Sequence, residues 1–133
     1  MRLLHAVDGS VLWLLDCGPA NENLRATGES QGISRERLVF APRVELDAHL
    51  GRLQHAGLFL DTFYFNAQTT ALDALWAGLP LVTRTHATMA SRLASTFLRS
   101  AGLDELVTES SEAYEATALR LARDPQSLAR IRD

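Results

Sequence analysis

The sequence contains no lysine, since all 13 of its basic residues are arginine. This absence removes the phosphate-binding lysine of P-loop proteins and the Schiff-base lysine of pyridoxal phosphate enzymes. It also argues against a phosphoacceptor receiver domain, which relies on a lysine after a late strand. Asp16, Asp61 and Thr83 each end an apolar run and would otherwise suggest that class. Any chemistry must therefore use arginine, histidine, helix N-termini or a group from elsewhere.

Cysteine and long apolar runs are equally scarce. The single cysteine, Cys17, excludes an internal disulfide framework and a cysteine-based zinc site. No run reaches the roughly 18 apolar residues of a membrane span, and the N-terminal residues lack the apolar core of a signal peptide. These absences predict a cytoplasmic protein with no membrane partner.

Positive charge is not in excess. The 133 residues carry 13 basic and 16 acidic side chains, which gives a formal net charge of −3. Nucleic acid is not an expected partner, because no basic surplus exists to release counterions from a phosphate backbone. With 47% apolar and 22% charged residues, the composition is that of one globular domain.

Short apolar runs alternate with segments of helical periodicity along the chain. The runs have the length and the Gly, Pro and Asp boundaries of strands buried on both faces. Strands that alternate with helices at this spacing predict an α/β fold, a Rossmann-like open parallel sheet with flanking helices. The predicted strands are residues 11–15, 38–40, 58–60, 81–83 and 106–107, and the predicted helices include residues 22–31, 46–56, 69–76, 87–100 and 111–123.

Two helix predictions depend on individual residues. Asn21 is expected to cap the N-terminus of the helix at residues 22–31. Leu46, Leu50 and Leu53 are spaced at i, i+4 and i+7, which predicts a stripe facing the core.

The loop after the third predicted strand leads into a candidate anion site. Thr69 and Thr70 open a helix at the carboxyl edge of the sheet, where ligands of such folds bind. Free backbone N–H groups, the helix dipole and two hydroxyls favour an anion there. Taken alone, the pair is also typical of a simple cap, with Thr70 and Asp73 as a variant capping box. Asp73 is alternatively placed to accept from sugar hydroxyls.

His49 and Arg52 form a second candidate pair. They lie three residues apart on a predicted helix and so share one face. Together they are suited to a phosphate or a base edge, although two polar residues at this spacing more often form a solvated helix flank.

The other histidines and the aromatic residues receive less weight. The four histidines have no metal-ligand spacing, and His5 and His55 are expected at the surface without partners. Residues 63–65 are three consecutive aromatics, which predicts that some of them line a pocket or an interface. Four further aromatics are expected in the core, namely Trp13, Phe59, Trp76 and Phe97.

At this point the motifs resemble a known family, the SPINDLY-like protein O-GlcNAc transferases. Residues 10–15 and 37–42 resemble two segments of the C-terminal catalytic lobe of these enzymes. The strongest match is Leu-Asp-Thr at residues 60–62, followed by residues 66–83 and then by Ala-Ser-Arg at residues 90–92. The match runs through nearly the whole chain in one collinear register.

The resemblance implies part of a GT-B glycosyltransferase lobe that binds UDP-GlcNAc. Thr69 and Thr70 would contact the diphosphate, Asp73 the ribose and the Val44 backbone the uracil, while His49 and Arg52 match polar positions near the nucleotide. Such enzymes transfer GlcNAc to Ser or Thr of an acceptor protein and need no metal or other cofactor. Helix ends and side chains would take on the leaving-group charge.

The chain also departs from the family pattern. Gln68 stands where the family has a histidine, and Leu46 stands where it has a lysine. The family lobe begins with a further strand and helix and a diphosphate-binding lysine, so we expect residues 1–133 to form a single partial domain that lacks its first strand. That strand would lie between the strands at residues 11–15 and 58–60. Acceptor binding would depend on regions outside this sequence.

Three functions are compatible with these observations. The first is the donor-binding part of a protein O-GlcNAc transferase that is inactive alone. The second is a glycosyltransferase lobe for another nucleotide sugar, suggested by Leu46 and Gln68. The third is a non-catalytic interaction module, self-associating or completed by a partner, because an incomplete sheet exposes unpaired backbone groups.

Overall fold

A computed structural model of the chain describes residues 1–132. By their internal contacts these residues form two compact units, one comprising Met1–Glu45 and the other starting at Leu46. The elements of the first unit are α1 (Arg2–Ala6), β1 (Leu12–Leu15), α2 (Ala20–Ser30) and β2 (Leu38–Ala41). Those of the second are α3 (Leu46–Leu53), β3 (Phe59–Leu60), α4 (Thr69–Trp76), β4 (Leu81–Arg84), α5 (Leu93–Ser100), β5 (Val107–Thr108), α6 (Ser111–Arg123) and α7 (Pro125–Arg132).

The first unit is built on a parallel pair of strands. Leu12 of β1 lies opposite Leu38 of β2, and the register continues to the ends of both strands. Leu38 is buried on this pair. Arg37 fixes the turn that precedes β1, because its guanidinium donates to the Ser10 carbonyl at 2.7 Å and to the Val7 carbonyl at 2.9 Å.

The second unit is a three-stranded parallel sheet in the order β3-β4-β5. The central strand β4 is the most buried, with Leu81, Val82 and Thr83 fully covered. Its apolar side chains pack against α5 and α6 through Leu98 and Leu121. The continuous apolar run of β4 is therefore explained by helices that cover the sheet.

The predicted α/β class is confirmed, and its parallel strands and flanking helices lie close to their expected positions. Within residues 1–132, β1 pairs only with β2, and β3 pairs only with β4. The prediction of a single partial domain lacking its first strand stays a prediction.

Two helix starts were predicted wrongly. The second helix begins at Ala20 rather than residue 22, because Pro19 already has the helical φ of −58° that its ring imposes. Asn21 therefore lies in the first turn, and its side chain accepts from the Cys17 N–H at 3.0 Å. The helix predicted from residue 87 begins only at Leu93.

Local hydrogen bonding explains the late start of α5. The hydroxyls of Thr88 and Ser91 lie 2.8 Å apart, and the Ser91 hydroxyl also donates to the Thr88 carbonyl at 3.0 Å. Such side-chain bonds give the backbone an alternative to the helix. Residues 87–92 form turns instead.

Two predicted core positions are also wrong. Leu46 is 59% exposed, whereas Leu53 at the other end of α3 is buried, so only the C-terminal end of this helix reaches the core. Trp76 is 85% exposed. The buried face of α4 is formed by Ala71 and Ala74, which places Trp76 on another face of the helix.

Gly102 supplies a backbone conformation that the end of α5 requires. Its φ is +74°, and a Cβ at this position would meet no atom within 4 Å. We expect Gly102→Ala to lower the free energy of unfolding by about 1 kcal/mol, because a left-handed conformation is strained for alanine. Urea unfolding followed by circular dichroism measures this change.

Gly51→Ala is the matched control for this substitution. Gly51 lies inside α3, its φ is not positive, and a Cβ added there would meet no atom within 4 Å. Alanine there should raise stability by roughly 0.5–1 kcal/mol through helix propensity. Two changes of the same sign would contradict the conformational explanation.

Candidate ligand-binding site

The N-terminus of α4 presents unsatisfied backbone donors at the carboxyl edge of the sheet. Gln68 is the N-cap, and its carbonyl accepts from the N–H groups of Ala71 and Leu72 at 3.0 and 3.1 Å. The N–H groups of Thr69 and Thr70 have no acceptor within residues 1–132. These free donors and the helix dipole favour an anion. That an anion binds here stays a prediction.

The capping box expected at this helix is absent. Thr70 lies in the first turn rather than at the cap, and no side chain caps the helix at Gln68. Both threonine side chains are exposed, together with that of Gln68. Their polar groups are consequently available to a ligand.

Asp61 organises the loop that leads from β3 into α4. Its Oδ1 accepts from the N–H groups of Thr62 at 2.8 Å and Ala67 at 2.7 Å, which are the two ends of the loop. Its Oδ2 accepts from the Thr83 hydroxyl of the neighbouring strand at 2.6 Å. One buried carboxylate, 4% exposed, thus closes the loop and ties it to β4.

Burial dominates the protonation of this carboxyl. It raises the pKa of Asp61, while the hydrogen bonds from Ala67, Thr83 and Thr62 act in the opposite direction. Tyr114 of α6 donates to the Asp61 carbonyl at 3.0 Å. Burial, and secondarily the charge of Asp61, raise the pKa of the Tyr114 phenol well above its ordinary value.

Asn66 anchors the far side of the same loop. Its Nδ2 donates to the Thr62 carbonyl at 2.7 Å, and its N–H donates to the Ala90 carbonyl at 2.8 Å. The side chain is fully buried, and its Oδ1 has no partner among the described residues. The loop before α4 is therefore held from both sides before any ligand arrives.

The loop and the start of α4 enclose an open cavity of about 520 Å³. Thr62, Phe65, Gln68, Thr69 and Thr70 line it, together with the half-buried residues of β3 and further residues of the loop. Its size suits a small-molecule ligand. Polar donors and two aromatic residues, Phe59 and Phe65, therefore line the same space.

The three consecutive aromatics divide between core and surface. Phe63 packs edge-on against Tyr114 with ring centroids 5.0 Å apart, and the Arg84 guanidinium lies 5.1 Å above its ring. Tyr64 and Phe65 are 81% and 64% exposed. The expectation that some of these side chains line a pocket is confirmed for Phe65.

A second polar cluster joins α3 to α4. Arg52 Nη2 and Nε lie 3.1 and 3.3 Å from His49 Nδ1. On the other side of the ring, His49 Nε2 lies 3.9 Å from Asp73 Oδ2. The structure therefore brings together three of the predicted site residues, with Asp73 one turn into the helix that Thr69 begins.

Val44 is the remaining predicted site residue. Val44 belongs to the first unit and is exposed, whereas all the other predicted site residues belong to the second. His5 is exposed as expected but not unpaired, since its Nε2 lies 2.7 Å from the Gln31 carbonyl oxygen. His86 and Cys17 are exposed.

Sequence reasoning missed the roles of Asp61 and Asn66. In the sequence, Asp61 ends an apolar run and belongs to the Leu-Asp-Thr match, and neither pattern predicts its hydrogen bonds. The sequence feature that points to this role is the position of Asp61 directly after a strand and before a loop. A carboxylate at such a position can accept hydrogen bonds from the backbone N–H groups of the loop. Nothing in the local sequence indicates that Asn66 is fully buried.

Residues 1–132 contain no group of three His, Cys, Asp or Glu side chains arranged to hold a metal ion. None of their helices has the length and apolar character needed to cross a bilayer.

Known proteins share this architecture. A solved O-GlcNAc transferase from Thermobaculum terrenum, a single-residue mutant, superposes with a TM-score of 0.93 at 36% identity over 98% of this chain and 26% of that one. A UDP-N-acetylglucosamine–peptide N-acetylglucosaminyltransferase of Caenorhabditis elegans is 35% identical over 99% of this chain and 12% of that protein. A probable SPINDLY enzyme of Solanum lycopersicum is 28% identical over 98% of this chain and 15% of its own length.

The fold and the relatives together place this chain in the glycosyltransferase class. Its α/β architecture is that of a GT-B enzyme. The chain belongs to glycosyl transferase family 41, whose model matches residues 1–133. The resemblance drawn from the motifs is thereby confirmed. The chain spans about an eighth of the length of the curated relatives named above.

The raised pKa of Asp61 predicts a pH dependence of stability. The native carboxyl holds its proton to a higher pH than the unfolded one, whose ordinary value is near 3.8. The free energy of unfolding, relative to that of Asp61→Asn, should therefore fall as pH rises through the raised pKa and be constant below the ordinary value. Urea unfolding of both proteins at a series of pH values measures this difference.

The asparagine variant is the appropriate control because its amide keeps an acceptor for the N–H groups of Thr62 and Ala67. A difference that grows in favour of the wild type as pH rises would contradict the prediction. It would mean that the donated hydrogen bonds outweigh burial and lower the pKa of Asp61.

Proposed function

We propose that this chain is the donor-binding part of a protein O-GlcNAc transferase. It binds UDP-GlcNAc and takes part in transfer of GlcNAc to Ser or Thr of proteins. The relatives with this activity are much longer, and acceptor binding depends on regions beyond these residues. Residues 1–133 alone therefore do not transfer the sugar.

The observation that carries the proposal is the N-terminus of α4. The N–H groups of Thr69 and Thr70 have no acceptor in the described chain, and both exposed side chains line a cavity with Gln68. A diphosphate satisfies such donors and lies at the favourable end of the helix dipole. A relative named for UDP-N-acetylglucosamine transfer is 35% identical over 99% of this chain.

The other predicted residues contact the nucleoside in this proposal. Asp73 accepts from the ribose, His49 and Arg52 lie near the nucleotide, and the Val44 backbone faces the uracil. The reaction needs no metal, since helix N–H groups and side chains stabilise the leaving diphosphate. The protein acts in the cytoplasm.

A different donor is the second candidate. Leu46 replaces a lysine of the family pattern and is 59% exposed, so its apolar side chain is available at the start of α3. Gln68 replaces the family's histidine at the cap of α4. Competition of several nucleotide sugars against UDP distinguishes this candidate.

An interaction module is the third candidate, favoured by exposed apolar side chains. Tyr64, Phe65 and Trp76 are 81%, 64% and 85% exposed. If this reading is correct, sedimentation equilibrium shows self-association that rises with protein concentration. A monomer at every concentration counts against it.

Calorimetric titration with UDP tests the leading proposal. We expect saturable binding at about millimolar strength, roughly −4 kcal/mol, in the wild type. The double variant Thr69→Ala/Thr70→Ala should lose this binding, because it removes both hydroxyls from the start of α4.

A second double Thr→Ala variant, away from α4, is the matched control. Thr27 and Thr96 are exposed helical threonines whose hydroxyls donate to the carbonyls four residues before them. The variant Thr27→Ala/Thr96→Ala should bind UDP as the wild type does. Undiminished binding by Thr69→Ala/Thr70→Ala would exclude the two hydroxyls as contacts of the diphosphate, and a folded wild type that binds no UDP would favour the interaction module.

A further inference from the structure

The end of α7 is hydrogen-bonded to the segment that follows α3. Arg132, the last residue of α7, donates from its guanidinium to the carbonyl of Ala56, and longer bonds of 3.4 Å reach the carbonyls of Gln54 and Gly57. These carbonyls lie just past Leu53, the last residue of α3. The C-terminus of a helix is the negative end of its dipole, so a cation at this position is favourable. Arg132 therefore holds the end of α3 from a different helix.

The same residue lies close to the end of α4. A Cβ added to Gly78, which follows α4 with a φ of +71°, would lie 3.7 Å from the Arg132 carbonyl oxygen. The helix that carries Arg132 is itself anchored, because Leu128 and Ile131 of α7 pack against the core. Arg132 thus connects an anchored helix to the C-terminal ends of α3 and α4, the two helices that carry most of the predicted donor-site residues.

The helix α3 has few other anchors. It has eight residues, a length at which a helix is marginal in isolation, and Leu53 is its one buried side chain. Further along the helix, His49 Nε2 lies 3.9 Å from Asp73 Oδ2 of α4, which is too long for a direct hydrogen bond. The position of α3 therefore depends on its C-terminal end, where Leu53 packs and Arg132 binds the carbonyls.

We propose that Arg132 is a positioning residue that, by holding the end of α3, keeps His49 and Arg52 next to Asp73 of α4. It acts through α3 and does not itself touch the ligand. The consequence for donor binding rests on the proposed function. The hold on α3 depends only on the contacts of Arg132.

Hydrogen exchange in the full chain without ligand tests the hold on α3. In Arg132→Met, the amides of α3 and of the turn after it should exchange about two- to fivefold faster, the effect of removing a cation from the end of an exposed helix. The amides of β4 should keep their wild-type rates, because this strand lies in the core. Arg132 is exposed, so the substitution leaves no buried group unpaired and the variant should fold.

Two further variants separate this contact from the general effect of removing an arginine. Arg130→Met removes a 70% exposed arginine of the same helix, whose Nη2 lies 3.9 Å from Glu105 Oε1. It should leave the exchange of α3 unchanged. Arg132→Lys keeps a positive donor and should restore part of the protection that Arg132→Met loses.

NMR titration with UDP tests the consequence for the site. The apparent affinity is proportional to the fraction of molecules in which α3 is held in place. Arg132→Met should therefore bind UDP about twofold more weakly than the wild type, and Arg130→Met should bind it equally well. In the variant His49→Ala/Arg52→Ala, α3 no longer offers these side chains to a ligand. Adding Arg132→Met to that variant should have no further effect on the affinity.

Each outcome decides a separate step. Unchanged exchange of α3 in Arg132→Met, an equal acceleration in β4, or a variant that does not fold overturns the positioning role. Faster exchange confined to α3 with unchanged UDP affinity, or an affinity loss that persists in His49→Ala/Arg52→Ala, overturns the link to the site. If the wild type binds no UDP while Arg132→Met still loosens α3, the proposed function fails and the hold of Arg132 on α3 stands.

Discussion

The buried carboxylate of Asp61 is the interaction on which the candidate site depends. It accepts hydrogen bonds from both ends of the loop before α4 and from Thr83 on the central strand. Because Leu81, Val82 and Thr83 of β4 are fully buried, the loop is fixed to the most buried strand of the unit. The unsatisfied N–H groups of α4 are thereby held in place without any side chain capping the helix.

The helix that Asp61 positions carries two chemically different groups. Its first turn offers N–H donors at Thr69 and Thr70, and the next turn offers the Asp73 carboxylate. A rigid helix fixes the distance between a donor region and an acceptor. This separation is typical of a ligand with an anionic part and a neutral hydroxyl part, such as a nucleotide, rather than of a simple anion.

Much of this arrangement was predictable because it depends on local pattern. The strands, the start of α4 and the shared face of His49 and Arg52 follow from apolar runs and helical spacing. The exposed Trp76 and Leu46 were not predictable, since burial depends on which face of a helix meets the sheet. The role of Asp61 depends on Thr83, which lies 22 residues away in sequence.

The absence of lysine has a consequence for the strength of the site. Among residues 1–132, no arginine lines the cavity at α4 either, and the one charged residue that lines it is Asp61. Backbone donors at a helix N-terminus contribute only about 0.3–2 kcal/mol towards binding a negative charge. A diphosphate bound to these residues alone is therefore held weakly, and tight binding requires a cation from outside this cavity. The weak affinity proposed for UDP follows from this balance of charge.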